Sequence, residues 1–137
     1  MRPYMGVIIA AHRKALTRLL VSDHILAVEQ LRRADRYRLR VPREHRLCRL
    51  CGVAVEDEAH ALLACEGSQE LLALRTGWYA SLPLRGRGMP HGVQLIMHMS
   101  QQREDDRLAQ WARYVFRVFA VYETVPLYVP DTYRKRQ

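Results

Sequence analysis

Cys48-Arg49-Leu50-Cys51, then Glu56-Asp57-Glu58-Ala59-His60, then Cys65, make up the stretch that decides how this chain folds. It holds all three cysteines, and its spacing is C-x2-C-x8-H-x4-C. Two cysteines two residues apart can grip one ion from a tight turn, and Gly52 directly after Cys51 permits that turn. The later His and Cys complete four soft or borderline ligands, the set a closed tetrahedral zinc site needs. The spacing therefore predicts a structural Zn2+ held by Cys48, Cys51, His60 and Cys65. His45, three residues before Cys48, is the competing fourth ligand. With four protein ligands no position stays open for water, so the zinc is expected to be structural rather than catalytic.

One geometric condition attaches to this reading. His60 and Cys65 are five residues apart, about 140° around an ideal helix. They converge only if the last turn tightens or unwinds, and Gly67 offers a stop nearby. Glu56, Asp57 and Glu58 are expected to open the short helix that carries His60, Leu62 and Leu63, where acids suit the N-terminal dipole. Three thiolates around one zinc leave a net negative charge, which Arg46 and Arg49 are placed to offset.

The residues leading into the motif are basic. From Arg32 to Arg49 the chain carries Arg32, Arg33, Arg36, Arg38, Arg40, Arg43, Arg46 and Arg49 against Asp35 and Glu44. Tyr37 is interleaved, and Pro42 breaks any helix. Arginine offers a planar fork of donors that suits phosphate and stacks on bases. The arm is therefore expected to contact RNA or DNA through Arg36, Tyr37, Arg38, Arg40, Arg43, Arg46 and Arg49. The competing reading is a solvated loop whose charges serve solubility. The whole chain points the same way as the arm: its net charge is +8, and Lys14 and Lys135 are its only lysines.

At 137 residues with 49% apolar content, the chain can bury a core of its own. An odd cysteine count argues against a disulfide framework and for bound or free thiols in an intracellular setting, nuclear or cytoplasmic. No run of about 18 apolar residues exists, so no transmembrane helix is expected. The short apolar run from Gly6 to Ala11 is followed by His12-Arg13-Lys14 rather than by a cleavage site, which argues against a signal peptide.

Helical spacing predicts a mostly α fold. A first helix is expected from about residue 4 to 21, with Val7, Leu16, Leu19 and Leu20 on one face. A second, capped by Ser22, runs to about Ala34 with Ile25, Leu26, Val28 and Leu31 inward. After the metal motif, Ser68 caps a helix carrying Leu71, Leu72, Leu74 and Trp78. Pro83, Gly86, Gly88, Pro90 and Gly92 mark a loop over 83–92, and the apolar segment Val93 to Met99 follows. The clearest helix spans Glu104 to Glu123, with Leu108, Trp111, Val115, Val118, Phe119 and Tyr122 in one stripe. That stripe is expected to be core, or to take a protein partner. Pro126 and Pro130 end regular structure, and Arg134-Lys135-Arg136 form a frayed tail. The expected organisation is 1–82 for the helical pair, arm and knuckle, 83–92 for a flexible loop, and 93–137 for the C-terminal helical segment.

No catalytic constellation emerges. The chain has no G-x-S-x-G, no P-loop and no G-x-G-x-x-G. Cys48 and His60 could imitate a Cys/His dyad, but thiols committed to zinc are not free nucleophiles. No enzyme is expected.

Arg46 to Cys51, Val55 to Leu62 and Cys65 together resemble the zinc-binding segment downstream of reverse transcriptase in non-LTR retrotransposons. The lead-in from Leu19 to Glu29, with Arg32 and Arg33, is similar to the stretch before that knuckle. Arg113-Tyr114-Val115 and the run Thr124 to Pro130 look like the C-terminal end of such polyproteins in fungi. The resemblance implies a zinc knuckle that binds template nucleic acid or supports the polymerase, with Cys48, Cys51, His60 and Cys65 carrying the metal. It departs from the family in holding neither polymerase nor endonuclease motifs, so the chain is expected to be a fragment.

Overall fold

The longest helix, α5 (Asp105–Glu123), is the axis on which the other helices pack. The structure is a computed structural model, and it describes residues 7, 9–82 and 90–135. Every member of the expected stripe on α5 is buried, and Ala112, Tyr114 and Val121 widen it. α1 (Ala10–Leu20) lays Ala15, Leu16 and Leu19 against it. α3 (Gln69–Ala80) adds Leu71 and Trp78, and α4 (Gly92–Ser100) adds Leu95, Ile96 and Met99. The Trp78 ring stacks on Tyr114 at 4.6 Å, and Trp111 satisfies its indole N–H on Ser100 Oγ at 2.9 Å. One core therefore draws on residues from both sides of 83–89. The stripe expected to be core or a partner surface is covered by the chain's own α1, α3 and α4.

The fold is mostly α, as periodicity predicts; among the described residues no strand forms, only two isolated bridges. Ser68 caps α3 by accepting from the Leu71 N–H at 3.2 Å. The apolar segment after the loop proves to be α4. The first helix starts later than expected, at Ala10, because Ile9 is its N-cap in extended backbone and Val7 is not helical; residues 4–6 of that expectation and the loop residues 83–89 lie outside the described residues.

Three further expectations are corrected. Ser22 does not open a helix: its φ of +53° places it in the left-handed region, where it closes α1. The Asp23 N–H reaches back to the Arg18 carbonyl at 2.9 Å, which satisfies an end carbonyl of α1. The second helix shrinks to α2 (Ala27–Gln30), because the chain turns back and Val41 N–H bonds the Leu31 carbonyl at 3.1 Å. The C-terminal tail is not frayed at Arg134 and Lys135. Leu39 N–H bonds the Tyr133 carbonyl at 2.7 Å and Lys135 N–H bonds the Tyr37 carbonyl at 2.9 Å, so tail and arm run paired. Leu127, Val129 and Tyr133 cover a second small cluster of Ala27, Leu31 and Val41. Arg136 lies outside the described residues.

Candidate metal centre

The knuckle is a backbone device before it is a ligand set. Leu47 and Val55 pair as an antiparallel bridge, and Cys48 N–H bonds the Ala54 carbonyl at 2.8 Å. Gly52 N–H returns to the Cys48 carbonyl at 2.8 Å with φ +72°, a conformation that favours glycine. This turn aims the Cys48 and Cys51 sulfurs the same way.

The second half solves the five-residue spacing. Asp57 Oδ1 caps the turn by accepting from His60 N–H at 2.8 Å. His60–Ala64 then winds as a π-helical turn, closed by Cys65 N–H to the His60 carbonyl at 2.8 Å. An i to i+5 bond sets residues five apart on one face, where an α-helix would splay them. The turn widens, and Cys65 leaves it in extended backbone at φ −62°, ψ 130°.

The result brings all four predicted ligands together. Cys48 Sγ and Cys65 Sγ stand 3.6 Å apart, and Cys51 Sγ and His60 Nε2 stand 3.3 Å apart. All four donor atoms lie within 4.8 Å of one another. A tetrahedral ion with bonds of about 2.3 Å to sulfur and about 2.0 Å to nitrogen spaces its donors roughly 3.5–3.8 Å apart. The group could therefore hold a metal ion. His45 is not part of it, since its Nδ1 meets Tyr133 Oη at 2.6 Å on the exposed side. Gly67 N–H donates to Cys65 Sγ at 3.4 Å, and Tyr122 Oη sits 3.4 Å from Cys48 Sγ. Burial pushes the Cys65 thiol up to about 11, a penalty on the thiolate that a bound cation would offset.

A clamp at the carboxyl end supports the π turn. Arg75 from α3 donates to the Cys65 carbonyl at 2.7 Å and to those of Leu62 and Ala61 at 3.3 and 3.4 Å. Tyr114 Oη from α5 donates to the Leu62 carbonyl. Two of the carbonyls that the helix end leaves orphaned, those of Ala61 and Leu62, are thereby satisfied, together with that of Cys65 at its exit.

Charge around the site is arranged otherwise than expected. Glu56 is fully buried and does not belong to the helix start. Its carboxylate accepts from Arg49 Nε and a terminal guanidinium nitrogen at 2.9 and 2.8 Å, from Arg49 N–H at 3.0 Å and from Ala27 N–H at 2.6 Å. Arg49 also donates to the Ile25 carbonyl at 2.8 Å. Arg46 is buried, its guanidinium on the Val41 and Val28 carbonyls at 2.8 and 3.0 Å. These two arginines tie the knuckle to α2 and the end of α5; neither presents its guanidinium to solvent, so the expected contact surface loses both. Arg38 is half-buried and donates to the Gln30 carbonyl at 2.9 Å. Arg36, Tyr37, Arg40 and Arg43 are exposed, and Arg43 pairs with Asp57 at 2.9 Å. Asp57 thus joins the arm to the His60 turn through its two carboxylate oxygens.

A second group, His24, Glu29 and Glu58, also falls within 4.8 Å. His24 Nδ1 accepts from Leu26 N–H at 3.3 Å, so its proton sits on Nε2 and is donated to Glu58 at 2.9 Å. No ring nitrogen has a lone pair left for an ion, and the group is a part-buried hydrogen-bonded pair.

Sequence reasoning missed the Glu56–Arg49 pair, Arg75, Tyr114 and Tyr122. Tyr114 and Tyr122 meet partners 52 and 74 residues away, and the nearer partners of Arg49 and Arg75, seven to 14 residues off, follow no recognisable spacing motif. No helix among the described residues is long and apolar enough to cross a membrane. Comparison with protein families, with curated proteins and with solved structures finds no match to this chain.

Proposed function

We propose that this chain is an intracellular nucleic-acid-binding module whose knuckle is cross-linked by one structural Zn2+. Three sulfurs and one imidazole form a donor set soft enough to favour Zn2+ over the hard cations. The ion would be held by Cys48, Cys51, His60 and Cys65, and as a fully protein-ligated centre it would act as a cross-link rather than a catalyst. Cys48, Cys51 and Cys65 are free thiols, as such a site requires.

The observation that carries the binding reading is the arm. Arg36, Arg40 and Tyr37 point to solvent on a segment fixed at both edges, by the tail on one side and the Asp57-capped turn on the other. Fixing an arm before it meets phosphate lowers the ordering cost of binding. The resemblance of the knuckle to the zinc-binding region of non-LTR retrotransposon polyproteins supports the same reading.

Replacing Arg36 and Arg40 by Glu and Tyr37 by Ala should leave the fold intact, since all three side chains are exposed. Titration of a fluorescent 20-nucleotide RNA and the matching DNA should show binding by the parent chain that weakens steeply with salt. The variant should bind at least tenfold more weakly with a shallower salt slope. Equal affinity in parent and variant would remove the arm from the interface.

A further inference from the structure

The seam between α1 and α5 carries a second cationic surface that the arm does not explain. Lys14 and Arg18 stand one turn apart on the exposed side of α1, and Arg113 and Arg117 one turn apart on the exposed side of α5. The two helices pack on each other. Two adjoining grooves run along the seam and share the half-exposed ring of Phe116. Arg113 and Arg117 line one together with His12, and Lys14 and Arg18 line the other. The His12 ring lies against Phe116 at 4.9 Å and makes an aromatic ledge between the cations.

Among the described residues no carboxylate lies within ion-pair distance of these four charges. None of Lys14, Arg18, Arg113 or Arg117 makes an ion pair there, whereas Arg32, Arg38, Arg43, Arg49, Arg107 and Arg134 all do. The acids nearby stand toward the ends of the seam: Asp105 and Asp106 at the start of α5, Glu123 at its end and Asp23 just past α1. The potential at the middle registers on His12. Burial first, then Arg113 and Arg117, hold its imidazole below the ordinary value.

We infer that the α1–α5 seam is a second docking surface for the phosphate backbone of a nucleic acid, separate from the Arg-rich arm. The inference rests on the nucleic-acid reading above and extends it to a new face. Arg113 and Arg117 are about 6 Å apart along the helix axis, close to the axial rise of two phosphates of one duplex strand, about 3.4 Å each. Four cations without partners need no rearrangement to meet phosphates, and the Phe116–His12 ledge gives a base or sugar an apolar seat. Two separate surfaces on one small module would bind one long strand with raised effective concentration, so affinity should grow with ligand length.

The test uses the full chain with Lys14, Arg18, Arg113 and Arg117 replaced by Ser, all four being exposed, beside the arm variant described above. Fluorescent RNA and DNA of 10 and 40 nucleotides are titrated over a salt series, and vesicles of phosphatidylserine and phosphatidylcholine serve as a competing anionic surface. The seam variant should fall at least tenfold in affinity for the 40-nucleotide ligand, and its salt slope should drop by about 0.7–0.9 for each phosphate no longer neutralised. It should keep the affinity of the parent for the 10-nucleotide ligand to within about threefold. In the parent, a His12 ring titration followed by NMR should move to higher pH when the ligand is bound. An unchanged slope in the seam variant, with weakened binding in the arm variant, would overturn the seam and leave the arm standing. Loss of vesicle binding with nucleic-acid binding unchanged would likewise overturn it. A parent chain that binds neither RNA nor DNA would overturn both readings.

Discussion

Gly67 and Gly77 separate two roles of glycine, and they set the tolerance of the site. A Cβ on Gly67 would stand 2.5 Å from the Leu50 backbone carbon and 2.7 Å from Cys51 N, so the knuckle and the chain after Cys65 touch through the missing side chain. Gly67 reads in the sequence as a helix stop; what it supplies is close approach of two backbones. Gly67→Ala should cost about 1–3 kcal/mol by forcing those segments apart, and it should weaken metal retention. Gly77 meets open space on the exposed side of α3. Gly77→Ala should stabilise the chain by about 0.5–1 kcal/mol. Urea denaturation of both variants checks the pair, and equal effects would show that Gly67 has no packing role. Glu58 gives a pH signature. The hydrogen bond from His24 holds its carboxyl below the ordinary 4.5, with burial opposing. Because the folded value is depressed, its contribution is complete above 4.5 and fades as pH falls through the folded value. The stability gap between the parent and Glu58→Gln should therefore be full at neutral pH and close well below 4.5, and a gap independent of pH would contradict the pairing. Residue identities announced the Cys48, Cys51, His60 and Cys65 group because thiol and imidazole at that spacing have few other uses. They did not announce Arg46 and Arg49 as interior groups, since a charged residue in a basic run gives no sign that carbonyls and a buried carboxylate await it.

The legible elements carried their signal in their own sequence, a cap for α3 and an apolar stripe for α5. α3 begins where Ser68 can reach Leu71 N–H, and α5 follows its apolar stripe. The second helix misled because Ser22 has the side chain of an N-cap but the backbone of a C-terminal closure. The π-helical turn could be foreseen only as a problem: five residues between ligands demanded a departure from ideal helix, and the widening that solves it depends on support from elsewhere. Arg75 supplies much of that support by donating to three carbonyls of the turn and its exit. Arg75→Ala should cost about 1.5–3 kcal/mol, the range for hydrogen bonds to charged groups. It should also speed loss of the metal to a chelator. Arg75→Lys should recover only part of either effect, because an ammonium lacks the planar fork that spans separate carbonyls. Calorimetry and chelator kinetics together test this, and a variant with normal stability and normal metal release would show that the turn holds itself.

Across the whole molecule, the helical bundle and the candidate metal site are one structure. Cys48, Cys65, Ala61 and Leu62 belong to the same core as the buried faces of α1, α3, α4 and α5. Arg49 binds the knuckle to the end of α5 through the Tyr122 and Val125 carbonyls at 3.3 Å. The sequence divides at 83–92, yet the core crosses that division, because burial answers to total apolar area rather than to the position of prolines and glycines. Metal binding and folding should therefore be linked, with ion removal destabilising α5 along with the knuckle. The zinc cross-link is tested most directly by the metal content of the chain purified under reducing conditions without added zinc. Elemental mass spectrometry should find one zinc per chain, and Cys51→Ser, Cys65→Ser and His60→Ala should each reduce it severalfold while His45→Ala leaves it unchanged. A parent chain that is folded and free of zinc would contradict the cross-link.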